Sequence, residues 1–208
     1  MTGAAYAVVI QPNGKIVAAG EGASADGFAL VRYRVHGSLD PRFSGDGKKL
    51  TRFADGYGGG ARAVALQPDG KIVAAGTGIE IFGPFALARF TPRGRLDPTF
   101  SHDGRVTTDM GDGEESAEGV AIQANGKIVA VGYTGVPHEA SDTGTGRFAL
   151  ARYRANGALD PLFGGDGKVR TSFSGSLTLG TCVAIQQNGR IVAAGWAGGR
   201  FALARYLP

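Results

Sequence analysis

The stretch DMGDGEESAE places Asp109, Asp112, Glu114, Glu115 and Glu118 close together, and Glu139 and Asp142 follow in the next long loop. Clustered carboxylate oxygens are ligands for Ca²⁺, but this run lacks the alternating acidic spacing and glycine placement of an EF-hand loop. Asp109, Asp112, Glu114 and Glu115 are therefore the metal candidates, while solvated charge is the expectation and no cofactor is expected. His138 beside Glu139 is the one adjacent acid–base pair. A second chemistry is carried by aromatics: Trp196 and Tyr133 each directly follow a repeated glycine, and Tyr57 and Phe82 sit in variable segments near Ile79 and Ile81. With His138, these four form the candidate ligand-binding set, because exposed aromatic faces recognise sugars and protein surfaces.

The linear signatures of catalysis are missing. No H-E-x-x-H, G-x-S-x-G, Walker A loop or G-x-G-x-x-G leading into a helix occurs, although the chain has 36 glycines and three histidines. A site assembled from several loops leaves no such signature. The expectation is a non-catalytic scaffold that binds protein or carbohydrate through its variable loops. The alternative is a hydrolase or lyase using the acidic loops and His138 around a divalent cation.

What positions these residues is a repeat. QPNGKIVAAG (11–20) returns as QPDGKIVAAG (67–76), QANGKIVAVG (123–132) and QQNGRIVAAG (186–195). FALVRY (28–33) returns as FALARF (85–90), FALARY (148–153) and FALARY (201–206). LDPRF (39–43) returns as LDPTF (96–100) and LDPLF (159–163), each followed by Asp-Gly. The unit is 56 to 63 residues long and covers nearly the whole chain. A period of this order marks propellers, solenoids or arrays.

Within a unit the signals are all β. Asn13-Gly14, Asp69-Gly70, Asn125-Gly126 and Asn188-Gly189 suit a tight hairpin joining strands a and b. FALARY reads as strand c, and the segment after Asp-Gly, such as KVRTSF (168–173), as strand d. KIVAAG and FALA are apolar at successive positions, which marks strands covered on both faces. Sheets stacked face to face around an axis meet that need, so the chain reads as an all-β, four-repeat β-propeller with four-stranded blades. The units run approximately 1–56, 57–118, 119–179 and 180–208 in a single domain.

The fourth unit has strands a, b and c but no d, so the last blade is incomplete. Two outcomes follow: a four-bladed ring with one short blade, or a half-propeller that a homodimer completes to eight blades through its open blade edges. Each unit also repeats an arginine inside strand c (Arg32, Arg89, Arg152, Arg205), followed eight residues later by Asp40, Asp97 and Asp160 in the first three. A buried guanidinium requires a carboxylate, so these are read as structural pairs; no Asp follows Arg205, so a partner chain or another carboxylate would supply one if it is buried. The repeated Gln11, Gln67, Gln123 and Gln186 are read as satisfying backbone groups of the hairpin turns.

Composition narrows the partners. The net charge is +4, yet many of the basic residues hold fixed repeat positions rather than one patch, so no nucleic acid partner is expected. No apolar run is long enough to span a bilayer, and the first residues have no basic n-region followed by an apolar stretch. Cys182 is the one cysteine, which excludes an internal disulfide.

The four motif blocks in this order, AVAxQPDGKIVAAG, FALARY, LDPxF and DG, resemble the delta-60 repeat family of bacteria. The resemblance implies a tandem propeller-like repeat and an extracellular or cell-surface setting. It implies no catalytic residues.

Overall fold

The computed structural model describes residues 2–23, 27–53, 59–78, 83–111, 113–136, 146–173 and 177–208. Fifteen strands follow one another, with no α-helix among the described residues. They form four antiparallel sheets. Sheet one is β1 (Gly3–Ile10), β2 (Ile16–Gly22), β3 (Phe28–Tyr33) and β4 (Lys48–Thr51). Sheet two is β5 (Gly60–Leu66), β6 (Ile72–Thr77), β7 (Phe85–Phe90) and β8 (Arg105–Thr108). Sheet three is β9 (Glu114–Ile122), β10 (Ile128–Val136), β11 (Arg147–Tyr153) and β12 (Lys168–Thr171), and sheet four has β13 (Thr178–Ile185), β14 (Ile191–Ala197) and β15 (Arg200–Tyr206). Among the described residues no helix is long and apolar enough to cross a membrane.

The hairpin turns differ in detail from a two-residue turn. Only the glycine of each Asn/Asp-Gly pair has positive φ (Gly14 +77°, Gly70 +81°, Gly126 +81°, Gly189 +81°). Gly14 N–H donates to the Gln11 carbonyl and Gln11 N–H to the Lys15 carbonyl, both at 2.8 Å. The Asn13 side chain accepts the Lys15 N–H at 3.2 Å, which is why Asn or Asp holds that position.

Three apolar layers hold the sheets together, one between each consecutive pair. Val17, Ala19, Phe28, Leu30 and Phe43 of sheet one meet Ala61, Ile72, Ala74, Ala86, Ala88 and Phe90 of sheet two. Val73, Phe85, Leu87 and Phe100 meet Ala117, Ile128, Ala130 and Tyr153 of sheet three. Val129, Val131, Phe148, Leu150 and Phe163 meet Ile191, Ala193 and Ala202 of sheet four. Large side chains on one face therefore press on small ones of the next, which brings the sheets close with few voids. The described residues form no such layer between sheets four and one. As a result β6 and β7 are buried along their whole length, whereas β1 and β15 lie mostly exposed.

Each first strand carries a bulge at the same place. Ala5 pairs with Gly20 and Ala7 with Ala19, leaving Tyr6 unpaired. Arg62, Glu118 and Thr181 are skipped in the same way in the other sheets. The repeated glycine that ends IVAAG lies opposite the bulge. A Cβ on Gly20, Gly76, Gly132 or Gly195 would lie 1.8, 1.9, 1.7 or 2.0 Å from a carbonyl oxygen of the first strand. The glycine thus exists for close approach, and the bulge depends on it. Gly76→Ala is expected to lower unfolding stability by at least about 2 kcal/mol, because the clash is with backbone and not with a side chain that can rotate; urea denaturation measures this.

Candidate functional site

A bulge turns one side chain out of the strand's alternation and re-aims it. Here that device operates in every blade on the strand that begins the sheet. Tyr6, Arg62 and Glu118 all line one open groove of about 320 Å³, together with Thr77, Glu114, Glu115, Ser116 and Tyr133. The groove sits at the end of the blades where the second strand leaves for the variable loops, the opposite end from the Asn/Asp-Gly turns. Positions that hold the repeat together are nearly identical between units; the bulge position is Tyr, Arg, Glu and Thr in turn. The residue after the repeated glycine also differs each time: Glu21, Thr77, Tyr133 and Trp196. The symmetry of the scaffold is therefore broken at this groove.

The groove's contacts are specific. Tyr6 donates its hydroxyl to Glu21 at 2.7 Å, and the Arg62 guanidinium lies over the Tyr6 ring at 4.2 Å. Glu115 is buried, and both its carboxylate oxygens accept the Met110 N–H at 2.9 Å while Thr134 donates to one of them at 3.2 Å. Burial raises its pKa, the nearby charge of Asp109 adds to the rise, and the Met110 and Thr134 bonds oppose it, leaving it at about 6. Burial also pushes the Tyr133 phenol up to about 12, with the charges of Glu114 and Glu118 adding and Arg62 opposing.

Because its folded pKa lies above its ordinary 4.5, the Glu115 carboxyl binds its proton more tightly in the folded chain. Its stabilising contribution is complete below pH 4.5 and lost as pH rises through about 6. The expected change is about 1–2 kcal/mol across that window. Glu115→Gln should flatten the window in urea titrations from pH 4 to pH 7.

The sequence-predicted residues separate in space. Tyr133, Glu114 and Glu115 lie in the groove, and Asp109 is near Glu115. Asp109 is exposed; its carboxylate accepts the Gly111 N–H at 2.7 Å, and its carbonyl accepts the Lys168 ammonium at 3.2 Å. Trp196 is on β14, on the same face of sheet four as Phe201, away from the groove. Tyr57, Phe82, Asp112 and His138 lie outside the described residues. Among the described residues no group of three His, Cys, Asp or Glu has a metal-binding arrangement. Tyr6, Arg62 and Glu118 have no motif to announce them. Aligning the repeats on the Gln of each turn would have exposed the variable position five residues before it.

The repeated Arg and Asp form a frame at the other end of the blades, beside the Asn/Asp-Gly turns. Arg32 Nε lies 2.9 Å from Asp40, and Arg89 and Arg152 lie 2.8 Å from Asp97 and Asp160, all buried. Lys15, Lys71 and Lys127 reach the same carboxylates at 2.7, 3.2 and 2.8 Å. Each guanidinium also lies over the Phe of the Asp-Pro-x-Phe turn at 4.7 to 4.8 Å. Arg32 then donates to the Pro92 carbonyl and Arg89 to the Ala155 carbonyl, both in the next sheet, so the arginine joins neighbouring blades as well as bracing its own. Burial would raise the pKa of Asp97, but the Thr99 hydroxyl and N–H, Lys71 and Arg89 reverse this and bring it to about 2. Asp40 and Asp160 are lowered in the same way, by Lys15 or Lys127, a backbone N–H and the strand arginine acting against burial. Arg205 is exposed. The repeated glutamines are buried in the first three units, and Gln123 donates to the Gly189 carbonyl of the next blade at 3.1 Å, whereas Gln186 is exposed.

Comparison with known proteins reports on the fold. Among solved structures, a Dyadobacter fermentans protein of unknown function is similar over 99% of this chain and 66% of its own, at 15% identity and a TM-score of 0.63. The extracellular domain of a putative one-component system from B. thetaiotaomicron matches at 11% identity and TM-score 0.47, over 97% of this chain and 21% of that one. An α-L-arabinanase of Cellvibrio cellulosa complexed with arabinohexaose matches at 12% identity and TM-score 0.43, over 95% and 76%. The chain thus spans less than two thirds of the first two structures. No curated protein matches it in sequence. The model of a β-propeller family, the domain of unknown function DUF5122, matches residues 11–43, 67–100, 123–163 and 186–208, segments that each contain the Gln-turn and strand c motifs and, in the first three, the Asp-Pro-x-Phe motif. Four stacked antiparallel sheets, repeated motifs and this match agree, and the chain belongs to the DUF5122 β-propeller family.

Proposed function

We propose that the chain is a binding scaffold that presents one ligand site at the mouth formed by its bulge residues, and that its ligand is a protein segment carrying a lysine or arginine. The observation that carries this reading is the unlike set Tyr6, Arg62 and Glu118 at one repeated position, in a groove that also holds Glu114 and Glu115. A repeat conserves what the fold needs; diversification at one aimed position serves recognition. The groove is acidic in a chain of net charge +4, with Arg62 as the one cation among the described residues that line it. An ammonium or guanidinium would be drawn to Glu114 and Glu118 and could stack on Tyr133.

Calorimetry with a lysine-rich peptide and with a neutral oligosaccharide tests the reading. Binding of the peptide that weakens with salt and is lost in Glu118→Gln supports it. Binding of the oligosaccharide alone moves the ligand class to carbohydrate, and binding of neither overturns the site.

A second reading is a divalent-cation-dependent hydrolase or lyase. It is favoured by Glu115, whose pKa of about 6 suits proton transfer near neutral pH. Stoichiometric Ca²⁺ or Mg²⁺ binding that disappears in an Asp112→Asn, Glu115→Gln double variant would move the reading to an enzyme.

A further inference from the structure

The three joints between blades are one joint made three times. One sheet projects a Phe and a Leu from its third strand: Phe28 and Leu30, then Phe85 and Leu87, then Phe148 and Leu150, all fully buried. The following sheet receives them with small residues and a strand-one pair. In the first joint these are Ala61, Ala74 and Ala86, with Val64 and Leu66 packed alongside. The strand-three arginine crosses the same joint to a carbonyl of the next sheet, from Arg32 to Pro92 and from Arg89 to Ala155.

Both halves of this joint occur once more, uncovered. Sheet four projects Phe201 and Leu203, which are 105% and 65% exposed, with Trp196 and Arg205 on the same face. Sheet one has the receiving face, where Val8 and Ile10 are 62% and 70% exposed. Between them and β3 lies a shallow socket of about 160 Å³ whose walls include Ala5, Ala18, Gly20 and Ala29. Ala5, Ala18 and Ala29 correspond to the Ala61, Ala74 and Ala86 that receive Phe28 and Leu30 in the first joint. The socket is what a joint looks like with its projecting side removed.

We infer that two copies of this chain dock head to tail, the Phe201–Leu203 face of each seated in the Ala5–Ala18–Ala29 socket of the other, closing a ring of eight blades. The occupant is a second copy because its projecting face repeats the one that fills this kind of socket three times within the chain. Arg205 then reaches the carbonyl of Val35, which holds in sheet one the place of Pro92 and Ala155. The two faces of one copy are unlike, so the contact is heterologous and closes only when both are used. Closure also sets Thr181 of the partner subunit next to Tyr6, so the bulge residues form one continuous series around the mouth. The docking stands independently of which ligand that mouth takes.

The test uses the whole chain. Sedimentation equilibrium at tens of micromolar should give a dimer. A Phe201→Asp, Leu203→Asp variant and a Val8→Asp, Ile10→Asp variant should each be monomeric, with dissociation constants raised at least about 100-fold. All four positions are exposed in a single chain, so thermal unfolding that matches the parent's at concentrations where the parent is monomeric shows that the variants fold. Mixed together, the two variants should form a one-to-one complex, because one keeps its projecting face and the other its socket. A monomeric parent chain, a mixture that stays monomeric, or a socket variant that still dimerises overturns the head-to-tail contact. A mass that keeps rising with concentration overturns the closed ring.

Discussion

Asp97→Ala is expected to destabilise the chain by about 3–5 kcal/mol, because it leaves the buried Arg89 guanidinium without its charge partner. Arg89 Nε and Lys71 both meet this carboxylate, and Thr99 donates to it through its hydroxyl and its N–H. The Arg89 side chain cannot turn to water without abandoning the Ala155 carbonyl and the Phe100 ring, so the joint between sheets two and three loosens as well. Urea unfolding measures the loss. Arg205→Ala in the same assay, at concentrations where the chain is monomeric, should change stability by less than about 0.5 kcal/mol, since the same motif residue is exposed there. Acid adds a second signature. Asp97 has a folded pKa of about 2 against an ordinary 3.8, so its contribution is complete above 3.8 and lost as pH falls through 2. In Asp97→Ala that part of the acid limb is absent. A loss as small as that of Arg205→Ala would show that the pair is dispensable and that packing alone holds the joint.

Phe148→Ala should lower stability by a similar amount, about 3–5 kcal/mol, through the cavity left between sheets three and four. Phe148 is fully buried, and its ring meets that of Phe173 edge to face with centroids 5.0 Å apart. Phe201 stands in the identical FALARY motif and pairs with Trp196 across the strands. At concentrations where the chain is monomeric, Phe201→Ala should shift the unfolding free energy by less than about 0.5 kcal/mol. Differential scanning calorimetry of the two variants side by side measures the contrast. Equal losses at the two positions would mean that sheet four is covered within its own chain.

The readings that came from local chemistry were accessible in the sequence. An Asn or Asp ahead of Gly ends a strand wherever it stands, because the turn needs a side-chain acceptor and a residue at positive φ. Successive apolar residues in KIVAAG and FALA announce strands covered on both faces, and in sheet two both faces are covered. The eight-residue spacing from Arg to Asp was enough to suggest a pair, since strand c leads into a short turn that folds the carboxylate back. The bulge was different. Nothing in AYAVVIQ separates Tyr6 from its neighbours, and only the pairing of Ala5 with Gly20 and Ala7 with Ala19 shows that Tyr6 is skipped. The aromatic candidates illustrate the same limit: Tyr133 and Trp196 hold equivalent positions, yet Tyr133 lines the groove and Trp196 lies on the outer face of sheet four.

By itself, then, the chain's sequence determined the β-strands, their turns, the fourfold repetition and the Arg–Asp pairing, because each depends on residues a few positions apart. Tertiary structure decided which copies of an identical motif are covered and which stand open to water. It also decided that the bulges turn Tyr6, Arg62 and Glu118 into one groove. Those outcomes depend on the neighbour a sheet meets, and a Phe in FALARY has the same local chemistry whether another blade covers it or not.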